Sequence, residues 1–332
     1  MSKRLFGLML PFLAVFVLGA ATPALADDDG VVRFATLPKP GPGFPEGIAA
    51  DAAGRIYVAT FDFSQPNVIY IFDRNGKVDA TISLPAGAVP LGMEFDAQGR
   101  LYVANFSQGN VLRYSPPFNS GSLPDRTFAV CGGAGAGCGL NSLTFDAAGD
   151  LYVSDSFGGN VFRIDLPGGA VSTYLVDDLL RPGNHGFPPF GANGLAFDGA
   201  GNLYIANTAD DRVLKYNPNA VPPAPKLTVF AESINGADGI AFDRKGRLWV
   251  AANQGDEVVA LNRNGRVVER VGSFEGVGND GAAKGLLFPA SIVISRGFVY
   301  VTNLALALTP AVGDEPEEDV STYTVSRFRL PN

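Results

Sequence analysis

Six copies of one strand–turn–strand unit run through this chain, and they restrict its fold more than any other feature. The clearest copy is Gly191 to Asn207, GANGLAFDGAGNLYIAN. Leu195-Ala196-Phe197 is a short apolar run. Asp198 to Asn202 carries the Asp and Gly that tight turns need, and Leu203 to Asn207 is a second apolar run with aromatic and β-branched residues. The other copies are EGIAADAAGRIYVAT from Glu46, LGMEFDAQGRLYVAN from Leu91, NSLTFDAAGDLYVSD from Asn141, DGIAFDRKGRLWVAAN from Asp238 and a weaker ASIVISRGFVYVTN from Ala290. Counted from residues 46, 91, 141, 193, 238 and 290, the units step by 45, 50, 52, 45 and 52 residues. That period, with four strands per unit, predicts propeller blades.

Strands A and B of each blade are the two runs of the unit. Strand C is visible as Val68 to Ile71, Val111 to Tyr114, Val161 to Ile164, Val213 to Tyr216 and Val258 to Leu261, and strand D follows turns such as Asp73-Arg74-Asn75-Gly76. The sixth unit has a C strand within Ser321 to Leu330 and no D strand. Val31 to Leu37 is a strand with no blade of its own, so it is expected to complete blade six and close the ring, covering an otherwise open edge. The expected fold is all-β, a six-bladed β-propeller formed by residues 27–332 as a single domain.

Residues 1–26 read as a bacterial-type signal peptide: Lys3 and Arg4, an apolar stretch from Leu5 to Leu18, and Ala24-Leu25-Ala26 as the cleavage site. The mature protein is therefore expected to be exported, periplasmic or secreted, with no membrane anchor. The whole chain carries a formal net charge of −8, and loss of the two signal cations takes this to −10, which disfavours nucleic acid as a partner. The two cysteines, Cys131 and Cys138 in CGGAGAGC, suit a small disulfide-closed loop in an oxidising compartment. Zinc needs more ligands than this loop offers.

Strand A lines the channel of a propeller, so the first residue of each unit is expected to join one ring: Glu46, Leu91, Asn141, Asn193, Asp238 and Ala290. Four of the six carry oxygen donors. Asn-Gly and Asp-Gly are also turn dipeptides, and Asn193-Gly194 and Asp238-Gly239 are open to that reading. Glu46 and the Asn141-Ser142 pair are not. Two carboxylates about 6 Å apart at an effective dielectric of ~20 repel by roughly 3 kcal/mol, which a bound cation removes. All-oxygen donors favour a hard cation, Ca²⁺ first among the divalent cations. The longer connections, namely the Cys131–Cys138 loop, Asp177 to Ala192, Gly272 to Pro289 and Leu304 to Val320, all fall on the ring side and mark it as the working face.

With these residues the chain resembles the superfamily of six-bladed calcium-dependent hydrolases. That superfamily holds the senescence marker protein, gluconolactonase and luciferin-regenerating enzyme family, the paraoxonases and diisopropyl fluorophosphatase. Strictosidine synthase-like proteins and NHL-type repeats are its neighbours. The resemblance implies one Ca²⁺ at the channel mouth held by Glu46, Asn141, Asn193 and Asp238, polarising a lactone or ester carbonyl or a phosphoryl oxygen. It implies Asp238 as a second-role residue that activates water or attacks directly. It also implies a general-base histidine near the metal, for which His185, the only histidine, is the candidate. One departure bears on substrate. Sugar-lactone members carry Arg two residues before the second ligand, where this chain has Gly139. The apolar residues Leu179, Leu180, Phe187, Phe190, Leu286, Leu287 and Phe288 point instead to an apolar mouth and a more hydrophobic lactone or ester.

Other chemistry is not written here. A serine triad has no Gly-x-Ser-x-Gly elbow, and phosphate-binding and dinucleotide fingerprints are missing. The acidic run from Asp314 to Asp319 reads as a solvated loop. The repeating aromatics Tyr57, Tyr102, Tyr152, Tyr204, Trp249 and Tyr300 read as inter-blade packing. Two functions from different classes remain: a calcium-dependent lactonase or arylesterase acting on a small-molecule substrate, and a non-catalytic NHL-like propeller binding a protein or small ligand on its loop-rich face.

Overall fold

Each repeat unit becomes the two inner strands of a four-stranded antiparallel sheet, because its apolar runs are short and its Asp-x-x-Gly turn is tight. The structure, a computed structural model, describes residues 30–38, 43–64, 66–183, 189–306 and 319–331. The proposed signal segment lies outside the described residues. Blade one holds Phe44–Ala50, Ile56–Phe61, Val68–Phe72 and Val78–Ser83, and four further blades repeat the order inner to outer. Blade six is Pro289–Ser295, Phe298–Asn303 and Thr324–Arg329, with Val32–Thr36 paired antiparallel to the last as its outer strand. The innermost strands of successive blades touch all the way round, blade six meeting blade one. This is the six-bladed propeller read from the repeat, closed by the N-terminal strand. Among the described residues there is no α-helix, only three short 3-10 turns. A small hairpin that the repeat did not announce, Phe274–Val277 with Ala283–Gly285, lies in the connection from blade five to blade six.

The turn aspartates do more than start turns. Asp51 Oδ1 accepts from the Arg55 N–H, and its Oδ2 accepts from the Tyr57 hydroxyl. Asp146 and Asp198 do the same for Tyr152 and Tyr204, and Asp243 takes the Trp249 indole N–H at 3.0 Å. With the polar head satisfied within the blade, each ring is free to pack against the next one. Tyr57 lies edge-on to Phe95, Tyr152 to Phe197, and Tyr204 to Phe242. These contacts place the strand-B aromatics in the seams between blades, as the sequence suggested.

The glycine after the ring residue has a different task from a turn. Gly47, Gly92, Gly194 and Gly239 are not among the glycines with positive φ. A Cβ on Gly47 would meet the Leu91 carbonyl oxygen at 1.9 Å, and one on Gly194 would meet that of Asp238 at 2.2 Å. These glycines let the strand A backbones of neighbouring blades approach closely. Where blade three has Ser142 instead, its hydroxyl accepts from the Leu195 N–H at 3.3 Å. Gly194→Ala is therefore expected to destabilise the fold by roughly 3 kcal/mol or more, since backbone must move to make room. Urea unfolding checks this against Gly199→Ala, whose Cβ meets open space and whose cost is expected to be near zero.

Candidate functional site

Every strand A carries the same irregularity at the same place. In blade three Leu140 pairs with Asp155 and Leu143 with Val153, two residues opposite one, so Asn141 and Ser142 sit in a β-bulge. The break recurs between Pro45 and Ile48, Pro90 and Met93, Ala192 and Leu195, Ala237 and Ile240, and Pro289 and Ile292. Each ring residue therefore occupies a bulge, which re-aims a side chain out of the pleat. The structure brings Glu46, Asn141, Asn193 and Asp238 together at the floor of one cavity of about 410 Å³, with Leu91 beside them. All four are buried, at 3–6 % exposure. Ala290 is fully buried and packs on Phe288 and Leu304 instead.

A second layer orients three of the ring residues, and it lies fifteen residues further along blades three, four and five. The Asn141 Nδ2 donates to the Ser156 hydroxyl at 3.1 Å, and that hydroxyl donates to the Ala192 carbonyl at 2.8 Å. Its one proton is thus spent on the next blade, so it meets Asn141 only as an acceptor. That assigns the amide nitrogen to the Ser156 side and turns the amide oxygen toward the cavity. Thr208 repeats the arrangement, accepting from Asn193 Nδ2 at 2.9 Å and donating to the Ala237 carbonyl at 2.8 Å. The Asn253 Nδ2 donates to Asp238 Oδ2 at 3.1 Å. The sequence reading did not find Ser156, Thr208 and Asn253, although their constant offset from the ring residues is there to be read.

The electrostatics of the floor are unbalanced. Burial pushes the Glu46 carboxyl well above its ordinary range, and the nearby Asp238 charge pushes it further. Burial pushes Asp238 up to about 7, against the downward pull of its hydrogen bonds with Asn253 and Asn193. Glu46 Oε2 and Asp238 Oδ1 are buried with no hydrogen-bond partner among the described residues. Among the described residues no lysine or arginine lines the cavity. Two buried carboxylates without a countercharge are costly to ionise. The donor set among the described residues, two carboxylates with oriented amide oxygens and no sulfur or imidazole, fits a hard cation. Among the described residues no three His, Cys, Asp or Glu cluster, so amides must complete any such set.

Above the floor the wall is apolar: Phe61, Phe63, Phe106, Phe157, Phe190, Phe288, Leu304 and Leu306. This corrects the expected mouth. Phe190 and Phe288 line the cavity, but Leu180 and Leu286 are fully buried and Leu287 nearly so. These three, with Leu179, pack in the scaffold beneath the loops. His185 and Phe187 lie outside the described residues, as does the acidic run apart from Asp319. The Cys131–Cys138 disulfide is formed, and the loop it closes brings Ala134 to the cavity wall.

Residues 190–273 match the family model described as SMP-30/Gluconolactonase/LRE-like region. That segment holds two ring residues, Asn193 and Asp238, with Thr208 and Asn253. A luciferin-regenerating enzyme structure aligns at TM-score 0.66 and 16% identity, covering 90% of this chain and 95% of that one. A gluconolactonase from Xanthomonas campestris aligns at 0.62 and 16%, covering 91% and 89%. A virginiamycin B lyase from Staphylococcus aureus aligns at 0.57 and 12%, covering 91% and 98%. At such identities the likeness is one of fold. No curated protein sequence matches this chain.

Proposed function

We propose that this protein is an exported hydrolase of lactones or esters that holds one divalent cation, calcium in the first instance, on Glu46, Asn141, Asn193 and Asp238. The observation that carries the reading is the buried carboxylate pair, each member with an unpartnered oxygen, set among oriented amides and without a neutralising side chain among the described residues. The partial match to the gluconolactonase and luciferin-regenerating enzyme family model supports it. So does the disulfide, which suits an oxidising compartment.

Bound there, the cation supplies Lewis-acid polarisation of a carbonyl or phosphoryl oxygen. The protein's own residues do the rest. Glu46 and Asp238 supply the negative charge, and the two asparagines supply neutral oxygens from fixed directions. Asn253 holds Asp238 Oδ2, which leaves Oδ1 as the atom that takes a proton from an attacking water. The apolar wall keeps bulk water off the floor, which strengthens every charge interaction there. The fold alone does not choose the reaction, since a lyase shares it.

A panel of lactones and aryl esters, assayed with calcium and after chelation, tests the reading. Turnover is expected to require the cation and to fall a hundredfold or more in Asp238→Asn. Turnover that survives chelation unchanged overturns it, and no turnover of any member favours a non-catalytic binding propeller. A comparable fall in His185→Gln would move the proton-accepting role to His185. Thr208→Val, which keeps the shape but loses the hydroxyl that orients Asn193, is expected to weaken calcium binding about tenfold. A calcium titration of the variant checks this, and an unchanged affinity contradicts the orienting role.

A further inference from the structure

The wall above the carboxylates is a continuous aromatic surface rather than a scatter of apolar residues. Phe61 meets Phe63 with ring centroids 5.2 Å apart, and Phe63 meets Phe106 at 6.1 Å. Phe106, Phe157 and Phe190 form a triangle with sides of 5.4, 6.0 and 5.7 Å. These rings come from different parts of the chain: the end of strand B in blade one, the residues just past strand B in blades two and three, and the connection into blade four. Phe63 is 68 % exposed at the rim, an unburied ring at the entrance to an apolar cavity. Convergence of five phenylalanines on one side of the cavity is a feature of the site, since packing the blades does not require a ring to stand in solvent.

Among the described residues the polar groups of the cavity are confined to its floor, where one N–H of each amide is committed and Glu46 Oε2, Asp238 Oδ1 and Asn253 Oδ1 have no partner. Asn141 Nδ2 serves Ser156, Asn193 Nδ2 serves Thr208, and Asn253 Nδ2 serves Asp238. Among the described residues the wall adds no side-chain donor or acceptor. The rings also close over Gly139, where a Cβ would come within 2.6 Å of Phe106 and 3.1 Å of Phe157, so no side chain at that position reaches the cavity without displacing them. A ligand bearing several hydroxyls would leave those turned to the wall dry and unpaired. A flat aromatic ring would find edges and faces to pack against. The volume of about 410 Å³ suits a ligand of one or two fused rings.

We infer that the site takes a lactone or ester carrying an aromatic ring next to the reacting carbonyl, seated against Phe63, Phe106, Phe157 and Phe190, and that it excludes polyhydroxylated sugar lactones. This rests on the hydrolase reading for the reaction, but the recognition is testable without it. Three δ-lactones share the reacting ring: the benzo-fused 3-isochromanone, unsubstituted δ-valerolactone and glucono-δ-lactone. With calcium present, kcat/KM is expected to be at least tenfold higher for the benzo-fused lactone than for δ-valerolactone, and lowest for glucono-δ-lactone. In Phe63→Ala and Phe157→Ala the ratio of the first to the second is expected to fall at least fivefold. The corresponding lactams, which resist hydrolysis, give a binding readout by calorimetry. The benzo-fused lactam is expected to bind at least tenfold more tightly than the polyhydroxylated one, and more weakly in the two variants. If no lactone is turned over but the lactams bind in that order, the aromatic site stands and the hydrolase reading falls. If the polyhydroxylated compounds are bound or turned over as well as the benzo-fused ones, or the two variants leave the ratios unchanged, the inference is overturned.

Discussion

Glu46→Gln is expected to be more stable than the wild type when divalent cations are removed at pH 8, and to gain nothing when calcium is returned. Wild-type Glu46 is buried beside a second buried carboxylate, and its Oε2 has no partner among the described residues. The amide of Gln keeps the shape, removes the charge and brings an N–H next to the Asp238 carboxylate. Relief of a repulsion of about 2–3 kcal/mol at an effective dielectric of ~20 sets the size of the gain. Calcium at about a hundred times its dissociation constant is expected to stabilise the wild type by about 2.7 kcal/mol. The variant, lacking one of two carboxylates, is expected to show little of this. A stabilising substitution that removes a function marks a functional site, where the protein tolerates an unfavourable arrangement for what it binds. Urea unfolding of both proteins, with and without calcium, checks both halves. A variant less stable than the cation-free wild type contradicts the account of the floor.

The cation-free wild type is also expected to lose stability as the pH rises from about 5 to about 7. Asp238 has an ordinary carboxyl pKa of 3.8 when unfolded and one of about 7 in the fold. A folded pKa above the unfolded one means that the folded state keeps a proton that the unfolded chain has released. Its stability is fully present below the unfolded value and is lost as the pH climbs through the folded one, at about 1.4 kcal/mol per pH unit for each such group. Glu46 has the same sign. So do Glu94, pushed up to about 7 by burial, and Asp256, also raised by burial. The turn aspartates Asp198 and Asp243, lowered by hydrogen bonds, act with the opposite sign, and only when the pH falls through the carboxylate range below this window. The comparison with Asp238→Asn therefore isolates the site, and the slope is expected to be shallower in the variant. Calcium reverses the trend, because the ligands must be deprotonated to bind it. Urea midpoints at pH 5.5, 6.5 and 7.5 give the result, and equal slopes for the two proteins would count against the floor as the source.

The ring was legible because the repeat period does the geometry: one residue per blade, taken at the same position, lands on one circle. Glu46, Asn141, Asn193 and Asp238 follow from counting, and so does Val32–Thr36 as the missing strand. The bulge was not legible, since the letters of Asn141-Ser142 do not show that two residues face one on the partner strand. Gly194 looked like a turn residue because Asn-Gly usually is one. Its reason, contact with the Asp238 carbonyl of the next blade, exists only once the ring is closed. The wall was misread in part for a similar reason. An apolar loop residue caps the core or faces the cavity with the same letter, and Leu180 and Leu286 turned inward while Phe106 and Phe157, just past strand B, turned to the cavity.

Calorimetric titration of calcium into the cation-free protein tests the central claim most directly. One binding site per chain is predicted for the wild type, and none for Asp238→Asn or Glu46→Gln measured under the same conditions. No heat with calcium, magnesium, manganese or zinc up to millimolar concentration, from a protein shown to be folded, would contradict the reading of the ring as a cation site. A wild-type site that persists in both variants would place the cation elsewhere and contradict it equally.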